Sequence, residues 1–409
     1  MNFVCVDVGS TFTKAVAVSG KGELLGAADH RTTVESDVLV GLDAAVKKTG
    51  VQPDEVLVCS SAGGGLRLAV VGYERLVTAE AGHRVGLSAG AKVVHVAAGK
   101  LDAVALQGLR AAKPDVVLLV GGADGGDEET ITHNANRLAK ARWKTPIVVA
   151  GNVSARSDVE RALAGLRVTV TGNVLPAIGV SNPGPARAAI REVFLSHVIG
   201  GKHLSRGPRF ASMVRGATPD VVLTGVELLA QRVAGDLLVV DVGGATTDVY
   251  SVIKPVGEVA DVAGTLWASR TVEGDLGMRW SARGVADAAR AERLDDLGDV
   301  DIDPAAASHP LDERLAELAM TIALRRHARA GRDLSGVTFV IGSGGVLRHR
   351  PADAARKIVQ SALADHAGGW ALPRSPAVGI DSSYVLAAAG LLAADHPGAA
   401  VSLLGSALT

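Results

Sequence analysis

The sequence is poor in aromatic residues and cysteine, and it has no long apolar run. Aromatic residues make up 3% of the chain, so the core has to be built from small aliphatic side chains, which suit close helix–sheet packing. Cys5 and Cys59 are the only cysteines, and each lies in an apolar, strand-like run, which favours buried thiols over a disulfide or a metal pair. Two cysteines without a signal-peptide pattern are typical of a reducing compartment, so we expect a cytoplasmic protein. No apolar run approaches about 18 residues, so we predict no membrane span.

The sequence also lacks an excess of charge of either sign. Lys and Arg number 42 against 43 Asp and Glu, which gives a formal net charge of −1. Without a basic excess, nucleic acid is not an expected partner. A solvated helix and loop explain the locally basic stretch 187–215 at least as well as a binding patch does. The GxxxxGK[ST], HExxH and CxxC motifs are also absent, which removes three familiar kinds of phosphate, zinc and redox site.

What is present predicts several domains. The chain has 409 residues and 48% hydrophobic content, which is more than one core usually holds. Strand-like runs dominate residues 1–90. Residues 91–180 alternate strand-like and helix-like segments, which indicates a parallel sheet and hence a Rossmann-like inserted domain. Residues 181–235 form a predicted helical connecting region, and residues 236–409 form the last predicted domain.

One pattern occurs twice. Residues 3–9 read FVCVDVG and residues 237–243 read LLVVDVG. Each copy continues from an apolar strand through an Asp-containing Gly/Thr turn into a second strand. The repeat predicts a duplicated fold with a shared site, and it argues against two ordinary hairpin turns that use Asp and Gly only for their geometry.

These turns have the chemistry of a phosphate site. Glycine lets the backbone approach phosphate oxygens, and short hydroxyls add donors. Asp7 and Asp241 are expected at their strand ends, where a carboxylate can hold Mg²⁺ directly or through water. Asp248 is a candidate for orienting a water or a metal ligand, and Lys14 either reaches a phosphate or is an exposed strand lysine. The predicted phosphate-binding residues are Gly9, Ser10, Thr11, Thr13, Lys14, Gly243, Gly244, Thr246 and Thr247.

Three further clusters follow the repeat. Gly342, Ser343, Gly344 and Gly345 come after an apolar strand and can let a base and ribose lie against the backbone. Glu273 opens a carboxylate-bearing turn that either lines the cleft or caps the next helix. The glycine-rich stretch 121–128 opens a helix, but its acidic residues disfavour a phosphate and suit helix N-terminal charges or a partner-binding surface.

The motifs resemble known ones. VCVDVGSTFTKAVAV, LLVVDVGGATTDVYSV and VTFVIGSGG are similar to the first phosphate, second phosphate and adenosine motifs of the actin, hexokinase and heat-shock chaperone superfamily. That resemblance implies an α/β fold of two duplicated RNase H-like (actin-like ATPase) domains, with the Rossmann-like domain inserted in the first half. CSSAGGGLRLAVVG, LVTAEAGHRVGLSAGAKV, LLVGGADGGDEETITHNA and TVEGDLGMRWS resemble the glutamate mutase accessory protein family, called GlmL or MutL.

The family resemblance implies a function. The family is associated with adenosylcobalamin-dependent mutases such as glutamate (methylaspartate) mutase, and its proposed role is reactivation. ATP binding and slow hydrolysis would drive a chaperone-like opening of the mutase, so that a damaged cobalamin leaves. The expected cofactors are ATP or ADP and Mg²⁺, and a homodimer is compatible with this interpretation. The residues that match the family's phosphate, metal and adenosine positions are Asp7, Gly9, Ser10, Thr11, Asp241, Gly243, Gly244, Thr246, Gly342, Gly344 and Gly345.

Other functions fit the same superfamily. A small-molecule kinase would need a catalytic Asp facing an acceptor hydroxyl, and the sequence shows no sugar-kinase signature. A non-hydrolysing ATP-binding scaffold or filament protein is the second alternative. Direct cobalamin binding by the inserted sheet is a weaker hypothesis, because the sequence has no Asp-x-His-x-x-Gly motif.

Overall fold

A computed structural model of the chain divides by packing into two compact units. The first unit comprises residues 1–62 and 221–409, and the second comprises residues 63–220. The family-like segments at 59–72 and 76–93 fall partly outside the described residues. The residues that the structure describes are 1–62, 66–74, 82, 85–86, 89, 91–178, 180–199, 204–253, 267–304, 306–329, 333–366 and 368–407.

Strands and helices alternate along most of the chain. The strands are β1 (Asn2–Val8), β2 (Phe12–Ser19), β3 (Leu24–Arg31), β4 (Glu55–Ser60), β5 (Leu66–Gly72), β6 (Ala91–Ala98), β7 (Val116–Leu119), β8 (Ile147–Val149), β9 (Val168–Val170), β10 (Val214–Ala217), β11 (Asp236–Val242), β12 (Thr247–Ile253), β13 (Trp267–Glu273), β14 (Val337–Ser343) and β15 (Ala377–Ile380). The helices are α1 (Val38–Lys48), α2 (Ala103–Ala111), α3 (Glu129–Lys140), α4 (Arg156–Ala162), α5 (Pro183–Val193), α6 (Pro208–Met213), α7 (Thr218–Ala230), α8 (Ala282–Ala291), α9 (Asp312–Arg329), α10 (Gly345–Arg348), α11 (Ala352–Leu363), α12 (Val385–Leu392) and α13 (Pro397–Ala407), with a 3₁₀ turn at Val153–Ala155 and a π-helical turn at Phe194–Ile199. None of the described helices is long and apolar enough to cross a membrane.

The first unit contains the same sheet twice. In one copy the strands follow the order β3-β2-β1-β4, and in the other β13-β12-β11-β14, with β15 added beyond β14. In chain order, β1, β2 and β3 are antiparallel neighbours, and so are β11, β12 and β13. The next strand of each copy runs parallel to the first one, β4 to β1 and β14 to β11. The register repeats as well, since Asp7 faces Lys14 and Asp241 faces Asp248. This confirms the predicted pair of duplicated RNase H-like domains.

Small residues let helices approach closely in the first unit. β1 and β11 are apolar and almost fully buried, as expected for strands that are covered on both faces. Helices α7 and α12 pack together in the core cluster that also contains these strands. An ideal Cβ on Gly225 would overlap the carbonyl oxygen of Leu386, and one on Gly390 would overlap that of Val221. The helix–helix distance therefore depends on glycine at both crossing positions.

The second unit is a doubly wound parallel sheet. Its strands follow the order β6-β5-β7-β8-β9 and are all parallel. The order confirms the Rossmann-like insertion and corresponds to the flavodoxin-like arrangement, in which the chain turns back beside its first strand. β5 lies inside this sheet although the sequence groups it with residues 1–90. The compact unit therefore begins earlier than the predicted range 91–180, and it also includes much of the predicted connecting region 181–235.

At the crossing of α7 and α12, replacing glycine by alanine should destabilise the fold, whereas it usually stabilises a helix. Glycine to alanine inside a helix ordinarily stabilises by up to about 1 kcal/mol, but at Gly390 the new methyl group meets a backbone carbonyl. We expect Gly390→Ala to lower the free energy of unfolding by about 2 kcal/mol. Gly398→Ala in α13 is the control, because nothing lies near its Cβ position, and it should be neutral or stabilising. Urea unfolding measures both, and a neutral Gly390→Ala would contradict the packing.

Candidate functional site

The two predicted phosphate turns share one backbone geometry. The N–H of Gly9 donates to the carbonyl of Phe12 at 3.1 Å, and the N–H of Gly243 donates to that of Thr246 at 2.9 Å. A Cβ on Gly9 would lie 2.8 Å from the Phe12 carbonyl oxygen, and one on Gly243 would lie 3.0 Å from the Thr246 carbonyl oxygen. Glycine is therefore needed at both positions because the turn is tight.

The structure brings the two turns against each other. The Thr11 hydroxyl lies 2.8 Å from the position that a Cβ on Gly244 would take, so a larger residue at 244 would displace it. The indole N–H of Trp280 donates to the same hydroxyl at 3.2 Å. The backbone N–H groups of Arg279 and Trp280 donate to the Gly244 carbonyl at 2.8 and 3.0 Å. The segment after β13 therefore holds the second turn in place and connects it to the first.

Asp7 is paired with Lys14 at the end of the first copy. The Lys14 ammonium donates to a carboxylate oxygen of Asp7 at 3.1 Å, and Asp7 is only 6% exposed. The ammonium also lies 4.6 Å from the centre of the Tyr384 ring. Burial lowers the pKa of Lys14, but Asp7 and Asp241 more than compensate and hold the pKa above its usual value. Lys14 is therefore a charged group inside the site, which decides against the exposed strand lysine.

Asp241, the counterpart of Asp7, has no comparable partner. Its Oδ1 atom is buried and accepts no hydrogen bond from the residues that the structure describes. Burial, together with the charges of Asp248 and Asp7, raises the pKa of Asp241 to about 6, although Lys14 and a hydrogen bond from Ser343 act to lower it. A buried carboxylate oxygen that lacks a donor is suited to a cation or a water.

Asp241 and Asp7 suit a magnesium ion that binds together with a phosphate ligand. Among the described residues, no three His, Cys, Asp or Glu side chains are grouped so that they could hold a metal. Mg²⁺ commonly binds through one or two carboxylates, waters and substrate phosphates rather than through a protein cage. The free oxygen of Asp241, with Asp7 nearby, matches that donor set.

Asp248 is fixed by a buried ion pair. Nη2 of Arg270 lies 2.6 Å from Oδ1 of Asp248, and the Thr246 hydroxyl donates to Oδ2 at 3.2 Å. Both members of the ion pair are buried. Asp248 is thus held rigidly beside Asp241, and its role in orienting a catalytic water or a metal ligand stays a prediction.

Three other predicted residues have protein partners. The Thr13 hydroxyl is 3.0 Å from that of Thr32, and the equivalent Thr247 hydroxyl donates to the Leu276 carbonyl at 2.6 Å. Glu273 binds Arg326 at 2.8 Å. Burial raises the pKa of Glu273, and Arg326 opposes this effect. In this structure the three side chains stabilise the turns, and their contact with a cofactor stays a prediction.

The third glycine turn joins the site through β14. Ser343 faces Asp241 in the parallel register. Gly344 has φ +113, and a Cβ there would overlap the Val242 carbonyl, so only glycine fits. A Cβ on Gly342 would meet core side chains, and the space beside Gly345 extends to the Tyr384 hydroxyl, 3.9 Å from its Cβ position. The turn is therefore open at Gly345 and packed at Gly342.

The sequence did not identify four residues around these turns. Trp280 lies in the quoted TVEGDLGMRWS segment but has no signature of its own. Arg270 could have been found only from the register of β12 and β13, which sets it opposite Tyr250. Tyr384 and Arg348 stack, with the guanidinium 4.4 Å from the ring centre, and Arg348 also binds Asp29 at 3.3 Å.

The acidic glycine-rich stretch 121–128 lies in the second unit, after β7. Side chains from the ends of β8 and β9 hold it: Asn152 accepts from the Gly125 N–H at 3.2 Å, and Asn173 donates to Asp124 at 2.8 Å. Asp127 accepts from the Thr130 N–H at 3.0 Å at the start of α3. These contacts agree with a role for the acidic residues as helix N-terminal charges.

Comparison with known proteins supports the assignment of a family. The profile of the MutL protein family matches residues 3–408. The protein named Protein MutL from Clostridium tetanomorphum is 36% identical over 456 aligned positions, which cover 98% of each chain.

Solved structures show weaker similarity. The ATP-dependent caprolactamase from Pseudomonas jessenii is 14% identical with a TM-score of 0.41, covering 96% of this chain and 71% of that one. The activator of 2-hydroxyisocaproyl-CoA dehydratase from Clostridium difficile, with bound ADPNP, is 9% identical with a TM-score of 0.34, covering 100% and 96%. The fold assignment depends on strand order and register rather than on these scores.

The raised pKa of Asp241 predicts a pH-dependent stability. The folded-state pKa of about 6 lies above the unfolded value of about 3.9, so the unfolded chain binds fewer protons between these two values. The contribution of Asp241 to wild-type stability should therefore fall as pH rises from 4 to 6. In metal-free buffer, the free energy of unfolding of Asp241→Asn relative to wild type should increase by roughly 2–3 kcal/mol between pH 4 and 7. Urea unfolding at several pH values measures it. Asp236→Asn, at the opposite end of β11, is the control, and a constant difference for Asp241→Asn would contradict the prediction.

Proposed function

Because the chain belongs to the MutL protein family, we propose that it is an ATP-dependent accessory factor that reactivates an adenosylcobalamin-dependent mutase, such as glutamate (methylaspartate) mutase. The observation that carries the nucleotide part is the contact of the two equivalent turns at Thr11 and Gly244. Two tight glycine turns that face each other, each preceded by a carboxylate, suit a phosphate chain and its metal.

Each turn supplies a different part of the proposed nucleotide site. Gly9, Ser10 and Thr11 take one side of the phosphates, and Gly243, Gly244 and Thr246 take the other. Asp7 and Asp241 would hold Mg²⁺, whose charge offsets that of the triphosphate when it is bound. The open turn at Ser343, Gly344 and Gly345 would take the adenosine.

Hydrolysis would depend on the charges at the strand ends. The Lys14 ammonium offsets negative charge beside Asp7. Asp241 would act through the metal, by holding the Mg²⁺ that offsets the developing charge and helps to orient the attacking water. Asp248 is held by Arg270 and keeps the Thr246 hydroxyl oriented. Phosphoryl transfer needs mainly such positioning and charge, which fits a slow ATPase.

The proposed coupling of ATP hydrolysis to a partner protein follows from the position of the two turns in different copies of the sheet. Thr11 belongs to the first copy of the sheet, and Gly244 belongs to the second. A nucleotide that contacts both copies would bias a hinge between them, and its hydrolysis would release that bias. We propose that this motion opens the mutase so that damaged cobalamin can leave. The protein would act in the cytoplasm on a protein partner, without nucleic acid.

The decisive experiment is ATP hydrolysis by the purified chain, with and without an inactivated adenosylcobalamin-dependent glutamate mutase. We expect slow hydrolysis that the mutase stimulates, together with recovery of mutase activity. Asp241→Asn should stay folded and lose hydrolysis by about 10²-fold or more. The matched variant Asp236→Asn should hydrolyse ATP like the wild type.

Each contrary outcome is distinguishable. Wild-type turnover by folded Asp241→Asn would remove Asp241 from the mechanism. Tight ATP binding with neither hydrolysis nor rescue would exclude the reactivating ATPase and leave a scaffold role. Phosphate transferred to a metabolite instead of water would identify a kinase.

Trp280 provides a second test of the nucleotide site. Trp280→Phe keeps a ring but removes the N–H that holds the Thr11 hydroxyl. The side chain is 63% exposed, so thermal stability should not change. We expect ATP affinity, measured by calorimetry, to fall about two- to tenfold, the value of one hydrogen bond.

Trp370→Phe is the matched control for this variant. The Trp370 indole nitrogen has no acceptor among the described residues, so its loss should leave ATP affinity unchanged. Equal affinities for Trp280→Phe and wild type would show that Thr11 does not need this contact.

A further inference from the structure

A pocket in the second unit lies at the amino-terminal edge of its parallel sheet. It is formed by the last turn of α2 and by the residues that follow α2 and α3, just before β7 and β8 begin. Its cavity volume is about 320 Å³, at the lower end of the range for small-molecule sites. The glycine-rich stretch 121–128 follows β7 and so belongs to the opposite, carboxyl-terminal edge. The pocket is therefore a separate feature of this unit.

The pocket is lined by four cations that lack carboxylate partners. They are Arg110, Lys113, Arg142 and Lys144. None of them forms an ion pair with a residue that the structure describes, and all four are exposed. Among the described residues, the Arg110 guanidinium donates a hydrogen bond to the Ala141 carbonyl at 3.2 Å. Four like charges converge here without a counterion among the residues that the structure describes.

Two of these cations occupy positions where glycine is usual. Lys113 has φ +45 and Arg142 has φ +49, and each follows the C-cap of a helix, the position at which left-handed glycine is preferred. A cation near a helix C-terminus is favourable in itself, and that could explain these two residues. It does not explain Lys144, which lies beyond the helix end, or the tryptophan between them.

Trp143 lies between two of these cations. It is one of the pocket's lining residues, is 7% exposed, and has an indole nitrogen that is buried without an acceptor among the described residues. A buried N–H without a partner is unfavourable. Because this nitrogen is buried, the four cations rather than the indole are the groups that can contact a ligand in the pocket.

We propose that this pocket binds a small phosphate-bearing anion, in the unit that does not carry the proposed nucleotide turns. Arginine forks and lysine ammonium groups together recognise phosphate oxygens. The volume admits a diphosphate or a similar group and is too small for a corrinoid ring. The site is independent of ATP hydrolysis in the first unit.

The test is calorimetric titration of the full chain with inorganic pyrophosphate, at low salt and in EDTA. Without a metal, Asp7 and Asp241 repel an anion from the nucleotide turns, so binding reports the pocket. We expect saturable binding that weakens as NaCl is added. Arg142→Gly and Lys144→Gln should each lower the affinity by roughly tenfold, the loss of one charge-assisted hydrogen bond.

Arg293→Gly is a closely matched control. Arg293 has φ +56 after α8, and its helix end has the same pair of backbone hydrogen bonds, Arg293 to Arg290 and Leu294 to Ala289, as Arg142 to Ala139 and Trp143 to Leu138. Both glycine variants should change the thermal midpoint similarly, but only Arg142→Gly should lose pyrophosphate. No saturable binding by the wild type, or equal affinity in Arg142→Gly and Arg293→Gly, would overturn the proposal, whatever the ATPase assay shows.

Discussion

An unbalanced charge at the ends of the duplicated strands governs the site. In the first copy the carboxylate of Asp7 faces the ammonium of Lys14 across β1 and β2. In the second copy the position equivalent to Lys14 is Asp248, so Asp241 meets a second carboxylate where Asp7 meets a cation. Arg270 neutralises Asp248, whereas Asp241 has a hydrogen bond from Ser343 and one buried oxygen, Oδ1, without a donor among the described residues. The duplication has thus produced one carboxylate that is hydrogen-bonded to a lysine and one with a buried oxygen that can take a metal or a water.

The glycine positions follow from the need to bring the carboxylates of the two copies close together. Carboxylates from two copies come close only if both turns are tight and if one turn can pass the other without a side chain between them. Gly9 and Gly243 keep the turns tight, and Gly244 leaves space for the Thr11 hydroxyl. In the core, Gly225 and Gly390 allow α7 and α12 to approach closely in the same way. A chain with few aromatic residues can make such contacts at many places, because its side chains are small.

Much of this could be predicted from the sequence, because the repeat is local. Apolar runs located the strands, and the constant offset between FVCVDVG and LLVVDVG predicted that Asp7 and Asp241 would be equivalent. The partners of the predicted residues could not be predicted in this way. Arg326, which binds Glu273, is 53 residues away in the chain, and nothing in a single sequence marks such a pair. Thr13 and Thr247 were expected to face a ligand because they are hydroxyls near glycine, yet each lies on a buried strand position where its hydroxyl has a protein partner.

In the second unit, the common direction of the helices places acidic residues at one edge of the sheet and basic residues at the other. In a parallel sheet with connecting helices, every helix starts near the carboxyl ends of the strands and ends near their amino ends. Helix dipoles favour anions at the first edge and cations at the second. Asp102 and Asp127 accept backbone hydrogen bonds at the starts of α2 and α3, whereas Lys113 and Arg142 follow the ends of the same helices. The dipoles explain why the two edges differ in sign. They do not explain why four cations on one edge surround a concave space without a carboxylate partner among the described residues, and a ligand that brings negative charge accounts for this arrangement.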